Sequence, residues 1–314
     1  MNTVVLDHSQ VITPEDVSEV AHGRAKVELS DSSRSSIAAC RQALDVALDD
    51  GEAHYGINTG FGSLAKVRVR DSELADLQRN LIRSHAAGVG APLSEEVVRG
   101  MMFVLAASLC RGRSGVRVEL AEKIVQLLNA SITPIVPESG SVGASGDLAP
   151  LAHLSLVLIG EGEAALKGER LPGGEALRRA GLTPIALAAK EGLALINGTH
   201  LMTARMSLIY TDLQRVINAA FHACAMSIDG ARASHSYLDP RVYEARNQPG
   251  PSKVAATMRE LLQGSDIVDS HRENDPRVQD PYSFRCAPLV LGAALDAVDW
   301  CGARLKDQLG AVTH

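Results

Sequence analysis

Aromatic side chains are scarce in this sequence. They make up 3% of the 314 residues, although 46% of the residues are hydrophobic. A chain of this length can bury a sizeable core, which must then consist mostly of alanine, leucine, valine and isoleucine. Side chains of this size suit closely packed helices, so the composition favours a mainly α-helical fold.

The sequence also lacks a block of lysine or arginine residues, and its formal net charge is −6. Proteins that bind nucleic acid or anionic membranes present clustered positive charge, so we expect neither partner. Residues 1–8 are too polar for a signal peptide. No uninterrupted apolar run is expected to span a bilayer.

Cysteines are few and scattered, and none forms a Cys-x-x-Cys pair. Their odd number and spacing argue against a disulfide framework, and with the polar start of the chain they predict a cytoplasmic protein. The ten histidines show no paired ligand spacing, so no metal site is predicted. The five cysteines are Cys40, Cys110, Cys224, Cys286 and Cys301.

One glycine- and serine-rich stretch, GSVGASGDLAPLAHL at 140–154, carries the most distinctive chemistry. In a tight loop the nitrogen of Gly146 can attack the carbonyl carbon of Ala144, and Ser145 can lose its hydroxyl. Loss of two waters leaves a methylidene-imidazolone ring, an electrophile made from the chain itself. Glycine suits the attacking position because it has no Cβ to block the backbone bend.

The same stretch has other interpretations. Its composition is that of an ordinary turn before a helix. A phosphate-binding loop requires a lysine that is absent after Gly146, and a hydrolase nucleophile elbow requires glycine where Asp147 stands.

Hydrophobic periodicity predicts helices along much of the chain. We expect them at 71–87, 94–110, 116–129, 147–158, 199–229, 252–262 and 284–312. Ser94 and Ser252 are expected to cap two of these helices, and 160–185 is expected to form polar turns. Helix 199–229 carries an apolar stripe of the kind found in protein cores. The stripe consists of Met202, Met206, Ile209, Leu213, Val216, Ala220, Cys224 and Ile228.

Four sequence blocks appear in a characteristic order. They are YGINTGFG at 55–62, the stretch 140–154, INGT at 196–199 and VQDPYSFRC at 278–286. Together they resemble the histidine ammonia-lyases of the aromatic amino acid ammonia-lyase family, over nearly the whole chain. The resemblance implies non-oxidative elimination of ammonia from L-histidine to give trans-urocanate.

The resemblance also implies a mainly α, L-aspartase-like fold. Its N-terminal domain, residues 1–196, would carry the prosthetic group, and 197–314 would begin a long central helical bundle. Family members form homotetramers whose active sites draw residues from three subunits. Because the helical pattern still continues near Thr313, we expect a C-terminally truncated chain, and an inactive fragment is one alternative.

Site residues follow from the matched blocks. Ala144, Ser145 and Gly146 would form the 4-methylidene-imidazol-5-one group, with no external cofactor. Tyr55 would remove the β-proton of the substrate, although its place in a glycine-rich loop alone favours an anchoring aromatic. Asn197 and Tyr282 would position the ring and the substrate amine.

Two further residues would bind the substrate. Arg285 would hold its carboxylate as a bidentate pair, or else form a salt bridge at a helix start, and Gln279 would line the same site.

Substrate choice is expected to depend on Ser84 and His85. A ring nitrogen of His85 could hydrogen-bond the substrate imidazole, and a site built for that bond rejects apolar rings. A single histidine at a helix end is otherwise often structural. His200 stands where many relatives have glutamine. An aromatic amino acid 2,3-aminomutase with the same prosthetic group is the remaining alternative.

Overall fold

The computed structural model describes residues 2–59, 68–144 and 146–313. Ser145 and residues 60–62 of the block YGINTGFG therefore lie outside the described residues. Two compact units are present: Met1–Leu208 with Leu305–His314, and Ile209–Arg304. The predicted domain boundary after residue 196 stays a prediction.

Helices dominate the described residues, as the composition predicted. The helices of the first unit are α1 (Pro14–Ala21), α2 (Asp31–Leu48), α3 (Leu74–His85), α4 (Glu95–Cys110), α5 (Val118–Asn129), α6 (Leu148–Leu158), α7 (Gly173–Arg179) and α8 (Glu191–Ile196). Those of the second unit are α10 (Pro240–Arg246), α11 (Pro249–Leu261), α12 (Asp266–Asp269) and α13 (Tyr282–Arg285). Two longer helices, α9 (His200–Gly230) and α14 (Ala287–Leu309), have residues in both units.

Helix α4 is the centre of the first unit, where it packs against α1 and α5. Met101, Phe103, Leu105 and Leu109 are fully buried. The helix begins directly after Ser94, as expected, but the Ser94 side chain makes no capping hydrogen bond.

Short strands flank this helical core. Strands β1 (Asn2–Leu6) and β2 (Ala25–Leu29) pair in parallel, and β3 (Val89–Pro92) pairs antiparallel with β5 (Pro137–Ser139). An antiparallel sheet has the order β4 (Ile132–Pro134), β6 (Glu163–Leu166) and β7 (Glu169–Pro172). The prediction of polar turns over 160–185 was therefore wrong: Ala164, Ala165 and Leu166 are buried within this sheet, and α7 follows it.

The apolar stripe on α9 is largely exposed in this chain, contrary to the core assignment. Its members at positions 202, 206, 209, 213 and 216 expose between 37% and 62% of their surface. The buried side of the helix carries Leu201, Ala204, Leu208, Phe221 and Ala225 instead, and only Ile228 of the stripe is buried. Because α9 is apolar on more than one side, periodicity alone could not identify the buried side.

The second unit has its own core, to which Phe221, Ile228, Tyr243, Val254 and Met258 contribute. Helix α11 begins at Pro249, not at Ser252, whose hydroxyl donates to the carbonyl oxygen of Gln248 inside the first turn. A proline at the first helical position needs no hydrogen-bond acceptor for a backbone N–H, which explains the earlier start.

The predicted helix 284–312 is divided into α13 and α14, and Leu295, Val298, Leu305 and Leu309 of α14 are buried. The stretch Tyr282–Leu309 is long and apolar enough to cross a membrane by length and composition, which the sequence analysis did not anticipate. A buried helix of a helical protein meets the same criteria, so a single such stretch is weak evidence for a membrane span.

Candidate active site

The loop that carries Ala144 and Gly146 ends at the start of α6 and contacts the segment before α9. Gly146 forms a parallel bridge with Gly198, and the N–H of Asp147 donates to the carbonyl oxygen of Gly198 at 2.7 Å. Ala144 is exposed, whereas Gly146 and Asp147 are buried. The structure thus brings Ala144 and Gly146 next to the segment that contains Asn197.

Only glycine fits at position 146. Its φ is +119°, a conformation that residues with a Cβ rarely adopt, and a Cβ there would lie 2.2 Å from the carbonyl oxygen of Gly198. The backbone at this position therefore requires a residue without a Cβ.

The Asp147 side chain fixes the start of α9. Its Oδ2 accepts hydrogen bonds from the N–H groups of Leu201 at 2.8 Å and Met202 at 3.1 Å. Burial raises the pKa of this carboxyl, and the two backbone hydrogen bonds oppose the rise. Asp147 therefore holds residues 197–199 and the loop in one arrangement.

Helix α6 also anchors the segment after His85. The N–H of Gly88 donates to Nε2 of His153 at 3.0 Å. A Cβ on Gly88 would lie 3.1 Å from the same nitrogen and 3.2 Å from Cβ of Pro137. The helix that follows the loop is thus in direct contact with the chain that leaves α3.

A pH dependence follows from this contact. Burial lowers the pKa of His153, and the hydrogen bond requires an unprotonated Nε2. Between this lowered pKa and the unfolded value of about 6.5, the unfolded chain binds more protons. The free energy of unfolding should therefore fall as the pH drops below about 6.5.

This prediction can be checked with His153→Gln, whose side-chain oxygen can accept from Gly88. Urea unfolding on either side of about pH 6.5 should show a smaller pH dependence in this variant than in the wild type. Equal pH dependence of unfolding in the two proteins would contradict the assignment of this pH dependence to His153.

Tyr55 lies in a turn at residues 55–58 and is 61% exposed. Hydrogen bonds from the Asn58 side chain to residues 52 and 54 stabilise the turn: Oδ1 accepts from the N–H of His54 at 2.6 Å, and Nδ2 donates to the carbonyl oxygen of Glu52 at 2.8 Å. The structure leaves Tyr55 accessible on an ordered turn.

Gln78 was missed by the sequence analysis. It is fully buried on α3, where Oε1 accepts from the N–H of Gly192 at 2.8 Å and Nε2 lies 3.4 Å from the carbonyl oxygen of Ile57. Gln78 thus links the turn of Tyr55 to α8, which leads to Asn197. The sequence places the Gln78 amide on the same helix face as Leu81 and Ile82, and this position could have indicated that it is buried.

His85 is the last residue of α3 and is half-buried. Its Nδ1 lies 2.9 Å from the carbonyl oxygen of Leu81 and 3.1 Å from Oγ of Ser84. Since a ring nitrogen that faces a carbonyl oxygen must donate, the neutral ring carries its proton on Nδ1. Nε2 is then an acceptor, as recognition of an imidazole N–H requires.

The other predicted residues lie in the second unit. Gln279 and Tyr282 are exposed, and the Arg285 guanidinium lies over the Tyr282 ring at 5.4 Å from its centroid. No ion pair of Arg285 occurs among the described residues, so the salt-bridge alternative is not supported. The structure thus brings Gln279, Tyr282 and Arg285 together in the second unit. It brings Ala144, Gly146 and Asn197 together in the first unit.

The sequence matches a known protein family over almost its whole length. Residues 12–314 match the family model described as "Aromatic amino acid lyase". The chain belongs to the aromatic amino acid lyase family. As the resemblance indicated, curated relatives of this lyase-family chain are histidine ammonia-lyases. One from Anaeromyxobacter dehalogenans is 48% identical over 321 residues, covering 100% of this chain and 63% of the relative.

Other relatives give the same result. Histidine ammonia-lyase from Deinococcus radiodurans is 47% identical over 297 residues, covering 95% of this lyase-family chain and 56% of the relative. The chain thus spans about three fifths of the length of the curated relatives that it matches.

Solved structures show the same fold. Histidine ammonia-lyase from Trypanosoma cruzi superposes with a TM-score of 0.88 at 36% identity, over 100% of this lyase-family chain and 57% of that one. Phenylalanine aminomutase from Pantoea agglomerans superposes with a TM-score of 0.90 at 30% identity, over 100% of this chain and 63% of that one. The predicted helical ammonia-lyase-like fold is confirmed.

Proposed function

We propose that the protein to which this chain belongs eliminates ammonia from L-histidine to give trans-urocanate. The observation that carries the proposal is the glycine-only backbone at Gly146, within an Ala-Ser-Gly tripeptide and against the segment of Asn197. The similarity to histidine ammonia-lyases over the whole chain supports the choice of substrate.

The tripeptide would form a 4-methylidene-imidazol-5-one group. The fit is favourable, because the loop at Gly146 has the left-handed backbone and close approach that a residue with a Cβ would block. When formed, the group supplies an electrophile that makes the substrate nitrogen a better leaving group. Asp147 and Gly198 would hold the loop around it through their backbone contacts.

The remaining steps would use side chains of the protein. Tyr55 would take the proton from the β-carbon, the C–H electrons would form the Cα–Cβ double bond, and ammonia would leave from the α-carbon. Arg285 would bind the carboxylate, with Gln279 beside it. Asn197 and Tyr282 would orient the substrate amine.

His85 would choose the substrate. Its Nε2 can accept the N–H of a substrate imidazole, a bond that phenylalanine cannot offer. Replacing His85 by leucine should lower kcat/KM for L-histidine by about 100-fold, because the hydrogen bond proposed to select an imidazole ring is lost. The free energy of unfolding should change by less than about 1 kcal/mol, since His85 is only half-buried at a helix end.

His8→Leu, at an exposed histidine of the same unit, is the control and should leave kcat/KM unchanged. Steady-state kinetics and urea unfolding of the variants provide both readouts. Parallel losses of activity and stability in His85→Leu would instead indicate a packing role.

Assembly and location are also proposals. The protein would be a cytoplasmic homotetramer whose active sites combine residues of three subunits. The exposed apolar stripe on α9 supports this, since contiguous apolar surface of this kind marks association sites. An N-terminal prosthetic-group domain over 1–196 and a helical bundle from 197 onwards fit the same proposal.

An aminomutase is the second candidate, because phenylalanine and tyrosine aminomutases superpose on this chain with TM-scores of 0.90. Incubation with L-histidine and analysis of the products separates the two. Release of urocanate with equal ammonia supports the lyase. A β-amino acid as the main product supports the mutase, and neither product would refute both.

A further inference from the structure

The end of α14 contacts the segment against which the loop of Ala144 and Gly146 lies. Nε2 of Gln308, in the last turn of α14, donates to Oγ1 of Thr199 at 2.6 Å. The N–H of Thr199 donates to Oγ1 of Thr313 at 3.2 Å. Thr199 is therefore held by two residues that lie 109 and 114 positions later in the sequence.

The Thr199 side chain also contacts the loop itself. A Cβ built on Gly146 would lie 3.1 Å from Cγ2 of Thr199, so the methyl group borders the space beside Gly146. The two branches of the side chain thus have different neighbours, Gly146 for Cγ2 and Gln308 for Oγ1. Because both branches are attached to one Cβ, the hydrogen bond from Gln308 fixes the rotamer that places the methyl group beside Gly146.

The backbone gives Thr199 a second connection to the loop. Thr199 directly follows Gly198, whose carbonyl oxygen accepts from the N–H of Asp147 at 2.7 Å and which forms the bridge to Gly146. A shift of Thr199 would therefore move Gly198 and, through it, the loop. Two groups of one backbone can react only when they are held in the reactive geometry, so the position of Thr199 bears on the cyclisation.

We propose that Gln308 is a positioning residue for ring formation and acts through the Thr199 hydroxyl. This inference rests on the proposed function, because it takes the cyclisation as the reaction that the contact serves. The nitrogen of Gly146 bonds to the carbonyl carbon of Ala144. One water takes the Ala144 oxygen and the N–H hydrogens of Ser145 and Gly146, and the other takes the hydroxyl and the Cα hydrogen of Ser145. Gln308 exchanges no atom in either step.

The test is the rate of ring formation in Gln308→Leu, which removes the donor to Thr199. Protein from cell-free synthesis is sampled over time, and its intact mass gives the fraction of chains lighter by two waters. Ring formation should be about tenfold slower than in the wild type, as expected when one hydrogen bond no longer holds the reacting groups.

Gln214→Leu is the matched control. Nε2 of Gln214 also donates to a hydroxyl, that of Tyr210, at 2.8 Å, and both residues belong to the second unit. This variant should form the ring at the wild-type rate. Urea unfolding should show similar losses of stability in the two variants, since each loses one half-buried hydrogen bond. Slower cyclisation in Gln308→Leu alone then reflects the position of Thr199.

Two further variants separate positioning from packing. Gln308→Glu has a side chain of the same length that can accept from the Thr199 hydroxyl, so it should restore most of the wild-type rate. Thr199→Val keeps the methyl group beside Gly146 but lacks the hydroxyl, and it should slow ring formation as much as Gln308→Leu does. Combining Thr199→Val with Gln308→Leu should cause no further loss, because both remove the same hydrogen bond.

The wild-type rate in Gln308→Leu, an equal slowing in Gln214→Leu, or additive losses in the double variant would overturn the inference. Failure of the proposed function has a separate signature. A wild-type protein that forms the ring at a rate set by Gln308, but releases no urocanate from L-histidine, would refute that function and leave the role of Gln308 intact. A wild-type chain that stays at full mass would refute both.

Discussion

Replacing Gly146 by alanine should abolish both ring formation and turnover. A Cβ at this position would lie 2.2 Å from the carbonyl oxygen of Gly198, and φ of +119° is strained for alanine. The loop must therefore move away from Gly198, and the nitrogen of residue 146 would be displaced from the position in which cyclisation is proposed. We expect at least about a 1,000-fold loss of kcat, as for loss of an essential covalent catalyst.

Gly168→Ala provides the matched control. Gly168 also has a positive φ, of +81°, but a Cβ there meets nothing within 4 Å. This variant should lose only about 1 kcal/mol of stability from the left-handed backbone and should keep full activity. Activity in Gly146→Ala, together with a chain mass reduced by two waters, would contradict the role of the loop.

Replacing Glu191 by glutamine should cause the largest loss of stability. The Glu191 side chain is fully buried at the start of α8 and pairs with Arg117, whose Nη2 lies 2.7 Å from Oε2. It also accepts from the N–H groups of Arg117 at 3.0 Å and Ala188 at 2.7 Å. Because glutamine removes the buried partner of Arg117 and leaves it only the exposed Glu119, we expect the free energy of unfolding to fall by about 2–4 kcal/mol.

The same arginine offers a control. Glu119 lies 3.3 Å from Nη1 of Arg117 but is 71% exposed, so Glu119→Gln should cost less than about 1 kcal/mol. Urea unfolding measures both variants. Since α8 leads to Asn197, Glu191→Gln should also reduce turnover. Equal stability losses in the two variants would contradict the claim that the buried ion pair of Glu191 contributes more to stability than the exposed pair of Glu119.

The helices were predictable because their signals are local. The predicted start after Ser94 and the predicted end near Cys110 match α4, and the longest helix differs by one residue at each end from the predicted 199–229. Strands β6 and β7 escaped prediction because each has four residues. Such segments are too short for an alternating pattern to stand out.

Burial was harder to predict than helicity. The stripe from Met202 to Val216 has the spacing of a core face, yet the opposite side of α9 is buried in this chain. A periodic pattern identifies an apolar face but not the surface that covers it.

The sequence pointed to part of the candidate site for a chemical reason. Ala144, Ser145 and Gly146 could be proposed from the sequence because a cyclisation of this kind requires those residue types. Gln78 and Glu191 could not, since their partners lie far along the chain: Gln78 and Gly192 are 114 residues apart.

The most direct test of the central claim is the intact mass of the purified chain. If Ala144, Ser145 and Gly146 cyclise as proposed, the chain should be lighter by two waters than its sequence requires. A chain of full mass, with an ordinary serine at position 145, would contradict the account.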